Sequence, residues 1–263
     1  MDEFLDQMIT TTYEFIDTAN KMMESCRLKD KIHFSNSRLV ISFYIKRAVE
    51  LSESVLILLK NNRLADSAVL LRSFWEMGIN TDFIFSDQKT KEVNAIKFLL
   101  NEYRGKISIL TNNRKEFEAV GINTEEALAK ATKEYEESKD FFSKQHKTDD
   151  WYWPKILRRA KDSKSWVIRQ AYYQVYAYIC NIEHHDMSFG KDYVDAEECK
   201  PLKDIKAIPL LRPEVNLFMC RSILLVIMST FNEEFSLKWG EVLTSLQEKQ
   251  DREYNEMKKA NKI

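Results

Sequence analysis

Apolar residues recur along most of this chain at the three-and-four spacing of a helix face, in long stretches divided by short polar breaks. Residues 2–27 place Leu5, Met8, Ile9, Phe15, Ile16, Ala19, Met22, Met23 and Cys26 on one stripe, predicting a first helix. After a connector at 28–34, Ser35 or Ser37 is suited to cap the next helix. Residues 37–59 are periodic through Val40, Phe43, Tyr44, Ala48, Leu51, Val55, Leu58 and Leu59. Asn61 and Asn62 make a short turn before a third helix over 64–85. So short a connection makes helices two and three antiparallel neighbours.

The pattern continues over 89–110 through Val93, Ile96, Phe98, Leu99, Leu100 and Tyr103. Asn123, followed three residues on by Glu126, resembles a capping box opening a charged helix over 124–144 that lies on the outside. A polar loop over 145–153 ends in Trp151-Tyr152-Trp153, and Pro154 suits a first helical turn. An aromatic helix follows over 165–184, carrying Trp166, Tyr172, Tyr173, Tyr176 and Tyr178. Residues 186–212 form the one long irregular stretch, of a length that is uncommon in compact domains and often functional. Pro213 opens an apolar helix to about 231. A last helix from 232 turns wholly polar after Leu246, predicting a frayed end.

Composition strengthens this picture. Of 263 residues only five are Gly and four Pro, against about 18 and 13 at average usage. Sandwiches, barrels and Rossmann folds need far more turn residues, and the scattered glycines form no phosphate-binding loop. The expected fold is all-α, a single multi-helix bundle of about seven or eight long helices around a central antiparallel hairpin. The charged helix is peripheral to it.

Forty Lys and Arg balance 41 Asp and Glu, with the signs interspersed. General attraction to nucleic acid or anionic lipid is therefore not indicated; the densest basic run is Arg158, Arg159, Lys161 and Lys164. The four cysteines (Cys26, Cys180, Cys199, Cys220) are widely spaced without metal-site patterns, as expected of reduced thiols in a cytoplasmic protein. The start of the chain is acidic and lacks a signal-peptide core. The most apolar stretch, 217–231, is interrupted by Arg221 and is shorter than the roughly 20 residues of a membrane span. No cofactor, metal or membrane association is expected.

Two places carry candidate chemistry. Arg72 and Glu76 lie four apart in the otherwise apolar third helix, so they share a face and can pair. A pair buried there is either a clasp between helices or a site, because buried ions need partners. The second is Asn181-Ile182-Glu183-His184-His185-Asp186, at the end of the aromatic helix. Imidazoles there can serve as acid, base or metal ligand, or simply favour a helix C-terminus. Adjacent residues on a helix point about 100° apart, so His184 and His185 do not readily share one metal. Trp151, Trp153, Trp166 and the tyrosines can stack on bases, although aromatics at helical spacing are usually core.

Taken together, Arg72-Ser73-Phe74-Trp75-Glu76, Trp153, Tyr172 or Tyr173, Tyr176 and the run from Ile179 to His184 resemble domain-of-unknown-function family 5677. The likeness spans about residues 35–190. It implies an all-helical prokaryotic protein and no established reaction, with Arg72, Glu76 and His184 at the signature polar positions. The family usually has Ser in place of Cys180 and a Pro-Ser pair in place of His185-Asp186; spacing favours His184 over His185 as the equivalent residue. At fold level the hairpin over 37–85 is also similar to HEPN proteins, many of them RNases of antiviral defence. Their Arg-to-His marker is missing from 165–185, where positions 177–181 read Ala, Tyr, Ile, Cys, Asn.

Three readings stay open. The first is a non-enzymatic helical module that binds a protein, a second copy of itself or a small ligand, with a link to defence or mobile elements. The second is an RNA-cleaving enzyme in which His184 is the acid/base, Arg72 stabilises phosphate and Glu76 orients either, with Asn181, Tyr176, His185 and Asp186 as further candidates. The third is a metal-dependent hydrolase using Glu76, His184, His185 and Asp186.

Overall fold

A computed structural model describes residues 3–27, 35–146, 151–163, 168–169, 172, 194–195, 200–201 and 212–259. Nearly all of the expected aromatic helix and of the irregular stretch after it lies outside these residues. The described part is all-α: α1 (Glu3–Arg27), α2 (Asn36–Lys60), α3 (Leu64–Phe85), α4 (Lys91–Asn112), α5 (Arg114–Ala119), α6 (Thr124–Gln145), α7 (Ile156–Asp162), α8 (Pro213–Glu234) and α9 (Gly240–Lys259). The one extended pairing among the described residues is a two-residue antiparallel ladder, Val194–Asp195 with Lys200–Pro201.

The chain groups into two compact units, one interrupting the other. The first holds residues 1–34, 38–83 and 156–263; the second holds 35–37 and 84–155.

A glycine-poor chain must still end its helices. Asn62 (φ 54°) and Ser236 (φ 48°) take the left-handed conformation that glycine usually fills after a helix, as Gly121 (φ 82°) does after α5. At each end two hydrogen bonds close the last turn. Behind α2 these are Asn62 N–H to Leu59 O at 3.1 Å and Arg63 N–H to Leu58 O at 2.8 Å. Behind α8 they are Ser236 N–H to Glu233 O at 3.1 Å and Leu237 N–H to Asn232 O at 2.9 Å. The second cap splits the expected last helix: α8 runs on to Glu234, and α9 starts only at Gly240.

In the first unit α8 is the central element. It is apolar all round, and residues from Val215 to Phe231 are buried on nearly every turn. By length and composition it could cross a bilayer, yet 67% of that window is buried inside the protein. Asn216 donates to Ser67 of α3 at 2.9 Å, and Cys220 lies 3.4 Å from Ser52 of α2. A Cβ on Gly78 of α3 would meet Ile223 Cγ2 at 3.2 Å. Glycine there lets α3 and α8 approach closely.

The deepest polar feature is Arg221, fully buried in α8. Its Nη1 is 2.5 Å from Oε2 of Glu253 in α9, and the guanidinium lies 5.8 Å from the Phe15 ring centre in α1. The other Glu253 oxygen accepts from Thr11 of α1 at 2.7 Å. Burial pulls Arg221 below its ordinary pKa and the Glu253 carboxylate opposes that shift; a guanidinium stays charged regardless. At the edge, Lys249 pairs with Glu14 at 2.5 Å and Gln250 donates to Ser222 at 2.5 Å. The polar sequence after Leu246 therefore hides an inward face of Gln250, Glu253 and Met257, and the described helix runs to Lys259.

In the second unit α4 packs on α6. Ile96, Leu100 and Trp151 form its core, with Tyr103, Tyr135 and Phe142 against them. Trp153 meets Phe98 edge-on at 5.4 Å, so both tryptophans of the Trp-Tyr-Trp run are packing residues. Tyr152 is exposed beneath Arg104. The capping box at α6 is present: Asn123 Oδ1 accepts from Glu126 N–H at 3.2 Å. The first turn of α2 is capped from α4, where Glu92 accepts from the backbone N–H of Asn36 at 2.8 Å and of Ser37 at 3.0 Å. Partial burial would raise this carboxyl; the hydrogen bonds from Ser37 and Asn36 outweigh it and hold the pKa below its ordinary 4.5.

Two predictions follow from this packing. Glu253→Ala strands a buried cation and should cost about 3–5 kcal/mol, whereas Arg221→Met combined with Glu253→Leu should recover most of the loss. Urea unfolding of the three proteins checks this; an equal loss in the double variant would show that the charges themselves hold the helices. Glu92→Ala should cost about 1 kcal/mol near neutral pH. The cap's contribution is complete above about pH 4.5 and disappears as pH falls through the depressed folded-state value. The gap between wild type and variant should therefore close in acid, as measured by unfolding at a series of pH values.

Candidate functional site

Arg72, Glu76 and Asn80 succeed one another at four-residue intervals on α3 and so share a face. Arg72 and Glu76 are both half-buried. Among the described residues Glu76 makes its ion pair with Arg159 of α7, at 3.7 Å, rather than with Arg72. The pair is asymmetric: the Arg159 side chain is 5% exposed and that of Glu76 is 45% exposed.

Arg159 stands in the densest basic run of the sequence, yet it is buried, and its Nη1 donates to Asn80 Oδ1. Asn80 in turn donates through Nδ2 to Tyr44 Oη of α2 at 3.0 Å. Burial pushes the Tyr44 phenol well above its ordinary value, against the hydrogen bond from Asn80 and the field of Arg159. Tyr44 lies near the start of α2 and Asn80 near the end of α3, as an antiparallel hairpin requires. Just past α7, Ser163 donates to Asp82, and Arg169 donates to the Ser163 carbonyl at 2.8 Å. Seen whole, the polar face of α3 grips α7 and its exit, with one carboxylate oxygen pair still open to water. Arg158 points outward and pairs with Asp162 at 3.6 Å.

Of the residues singled out from sequence, Arg72 and Glu76 stand on this face. Tyr176, Asn181, His184, His185 and Asp186 lie outside the described residues. Among the described residues no group of three His, Cys, Asp or Glu is placed to hold a metal. Asn80, Tyr44 and Arg159 were not anticipated; the i, i+4, i+8 spacing of Arg72, Glu76 and Asn80 is the signal that could have found the first of them.

A second feature lies elsewhere in the same unit. A cavity of about 580 Å³ opens between α8 and α9, with Trp75 of α3 in its wall. Phe218 and Tyr254 stack on one another there, ring centres 5.1 Å apart.

A model of a family of unknown function (DUF5677) matches residues 38–201, well over half of the chain. No curated protein and no solved structure matches it.

The asymmetry around Arg159 sets the expected order of substitutions. Asn80→Ala removes the bridge between two buried groups and should cost about 2–3 kcal/mol. Glu76→Gln acts on a half-exposed carboxylate and should cost about 1 kcal/mol or less. Thermal or urea unfolding gives the order; a larger loss for Glu76→Gln would move the centre of the network to the carboxylate.

Proposed function

We propose that this chain, which belongs to the DUF5677 family, is a non-enzymatic helical module that binds a small ligand. One observation carries the reading: a cavity of about 580 Å³ between α8 and α9 is walled by Trp75 and Gln250, whose buried Nε1 and Oε1 have no hydrogen-bond partner among the described residues. Buried polar groups are nearly always hydrogen-bonded, and orphans in the wall of a cavity invite a molecule that pairs with them. The α3 polar face, by contrast, is occupied in holding α7 through Asn80, Glu76 and Arg159. The buried Cys220 thiol suits a reducing, cytoplasmic setting. Cys220 is inert, its thiol pushed up to about 11 by burial.

The exposure of Glu76 favours a second reading. A water-accessible carboxylate beside a buried guanidinium can orient a base, and in the RNA-cleaving alternative Glu76 works with Arg72 and His184. Incubating labelled RNA with wild type, Glu76→Gln and His184→Ala separates the two. The binding module leaves RNA intact, or leaves equal background cleavage in all three proteins. Cleavage by wild type that falls at least about a hundredfold in both variants, with folding unchanged, would replace the binding module with the enzyme.

A further inference from the structure

One side of α2 is left open to water along most of the helix. Leu39, Phe43, Lys46, Glu53 and Ile57 are exposed there, with Glu50 half-buried between them. At 100° per residue all six fall within a stripe about 80° wide. Three of them are large and apolar: Leu39 is 45% exposed, Phe43 58% and Ile57 61%. Single apolar side chains at a surface mean little, but three on one stripe of one helix, interleaved with charges, have the composition of a contact face. At the Ile57 end Tyr13 of α1 widens the apolar surface; it is 44% exposed, and its hydroxyl accepts from Lys60 at 2.8 Å.

The stripe is complementary to itself. Counted from Glu50, Phe43 stands seven residues before and Ile57 seven after, while Lys46 stands four before and Glu53 three after. A two-fold axis at Glu50 that sets two copies of α2 antiparallel brings positions equally far on either side of it together. Phe43 then meets the partner's Ile57, and Lys46 meets the partner's Glu53, each contact being made twice. Lys46 and Glu53 also share one edge of the stripe, as that axis requires. A parallel pairing would instead oppose Lys46 to Lys46 and Glu53 to Glu53, at a cost in repulsion.

The charges within each chain agree with the antiparallel arrangement. Glu50, which the axis sets beside its own copy, already carries two cations of its own helix, Arg47 Nη1 at 3.1 Å and Lys46 Nζ at 3.5 Å. Glu53 has no ion-pair partner among the described residues, so its carboxylate is available to a cation from another chain.

We infer that α2 is the interface of a homodimer, in which this face packs antiparallel on the same face of a second copy through Phe43–Ile57 contacts and Lys46–Glu53 ion pairs. A single helix face lies at the small end of specific interfaces, so the association is reversible at about micromolar concentration. It does not depend on what the α8–α9 cavity holds, and either proposal can fail alone.

Sedimentation of the full chain from about 1 to about 100 µM tests the dimer. Wild type should pass from monomer to dimer over that range. Phe43→Asp and Ile57→Asp should each weaken association at least about thirtyfold; both positions are exposed, so circular dichroism should show unchanged folding. Lys46→Glu and Glu53→Lys should each weaken it at least about fivefold, by setting like charges together at two symmetric points. Combined in one chain, the two reversals restore opposite charges across the axis and should return the affinity to within about threefold of wild type. A wild type that stays monomeric at about 100 µM, a dimer indifferent to Phe43→Asp, or a double reversal no tighter than its single variants would overturn the assignment.

Discussion

Arg221 sets the terms on which the first unit is built. A guanidinium in the middle of an apolar helix loses its hydration, and such a loss amounts to several kcal/mol unless a counter-charge and hydrogen bonds replace the water. Glu253 provides the counter-charge at 2.5 Å, and Thr11 holds the second carboxylate oxygen. One residue from each of α1, α8 and α9 is thereby tied to a single point. A shift of α9 by one turn would leave the charge of Arg221 unmet, so register follows from electrostatics where apolar packing alone would tolerate sliding. The same pair explains how so polar a segment as 247–259 remains helical: its inward face sets Gln250 and Glu253 beside a single apolar residue, Met257.

The α2–α3 hairpin uses a milder form of the same device. The Schellman turn at Asn62 brings the two helices back to back, which sets Tyr44 beside Asn80. Asn80 then relays the contact to Arg159, and so to α7. Asn80 engages both sides of its amide in this stripe, and the Glu76 carboxylate remains 45% exposed. A face arranged in this way has an evident architectural use whether or not it also meets a substrate.

Much of the fold was legible because the strongest signals are local. Scarcity of glycine and proline, together with three-and-four periodicity, is enough to place α1, α2 and α3 within a residue of their ends, and α8 at its start with its end three residues short. Asn123 and Pro213 announced their helix starts through capping chemistry that acts over a single turn. Harder to see were contacts between residues far apart in the chain. Arg221 read as an interruption of an apolar run, and nothing near it in sequence points to Glu253, 32 positions on. Arg159 read as one cation in a basic run because its burial depends on Asn80, which a different helix supplies. Glu76 was visible as a polar residue on an apolar helix, and the spacing to Arg72 suggested the wrong neighbour for its described ion pair; an i, i+4 match says which residues can meet, not which will. The small helix α5 escaped notice because six residues carry too little periodicity to register.

The two polar features of the first unit differ in one physical respect that bears on function. In the α3 network, Asn80 has both sides of its amide engaged within the protein, so a visiting molecule would have to displace an existing bond and would gain little net free energy. At Trp75 and Gln250 a donor and an acceptor are withdrawn from water without a partner among the described residues, a cost that folding bears at the wall of a cavity. Exposed Glu233 and Asp251 stand in the lining of that cavity, and the Phe218–Tyr254 stack forms part of its wall with Lys258 Nζ 5.1 Å from the Tyr254 ring centre. That combination makes the α8–α9 cavity, rather than the more conspicuous charged residues of α3, the better place to look for what this protein recognises.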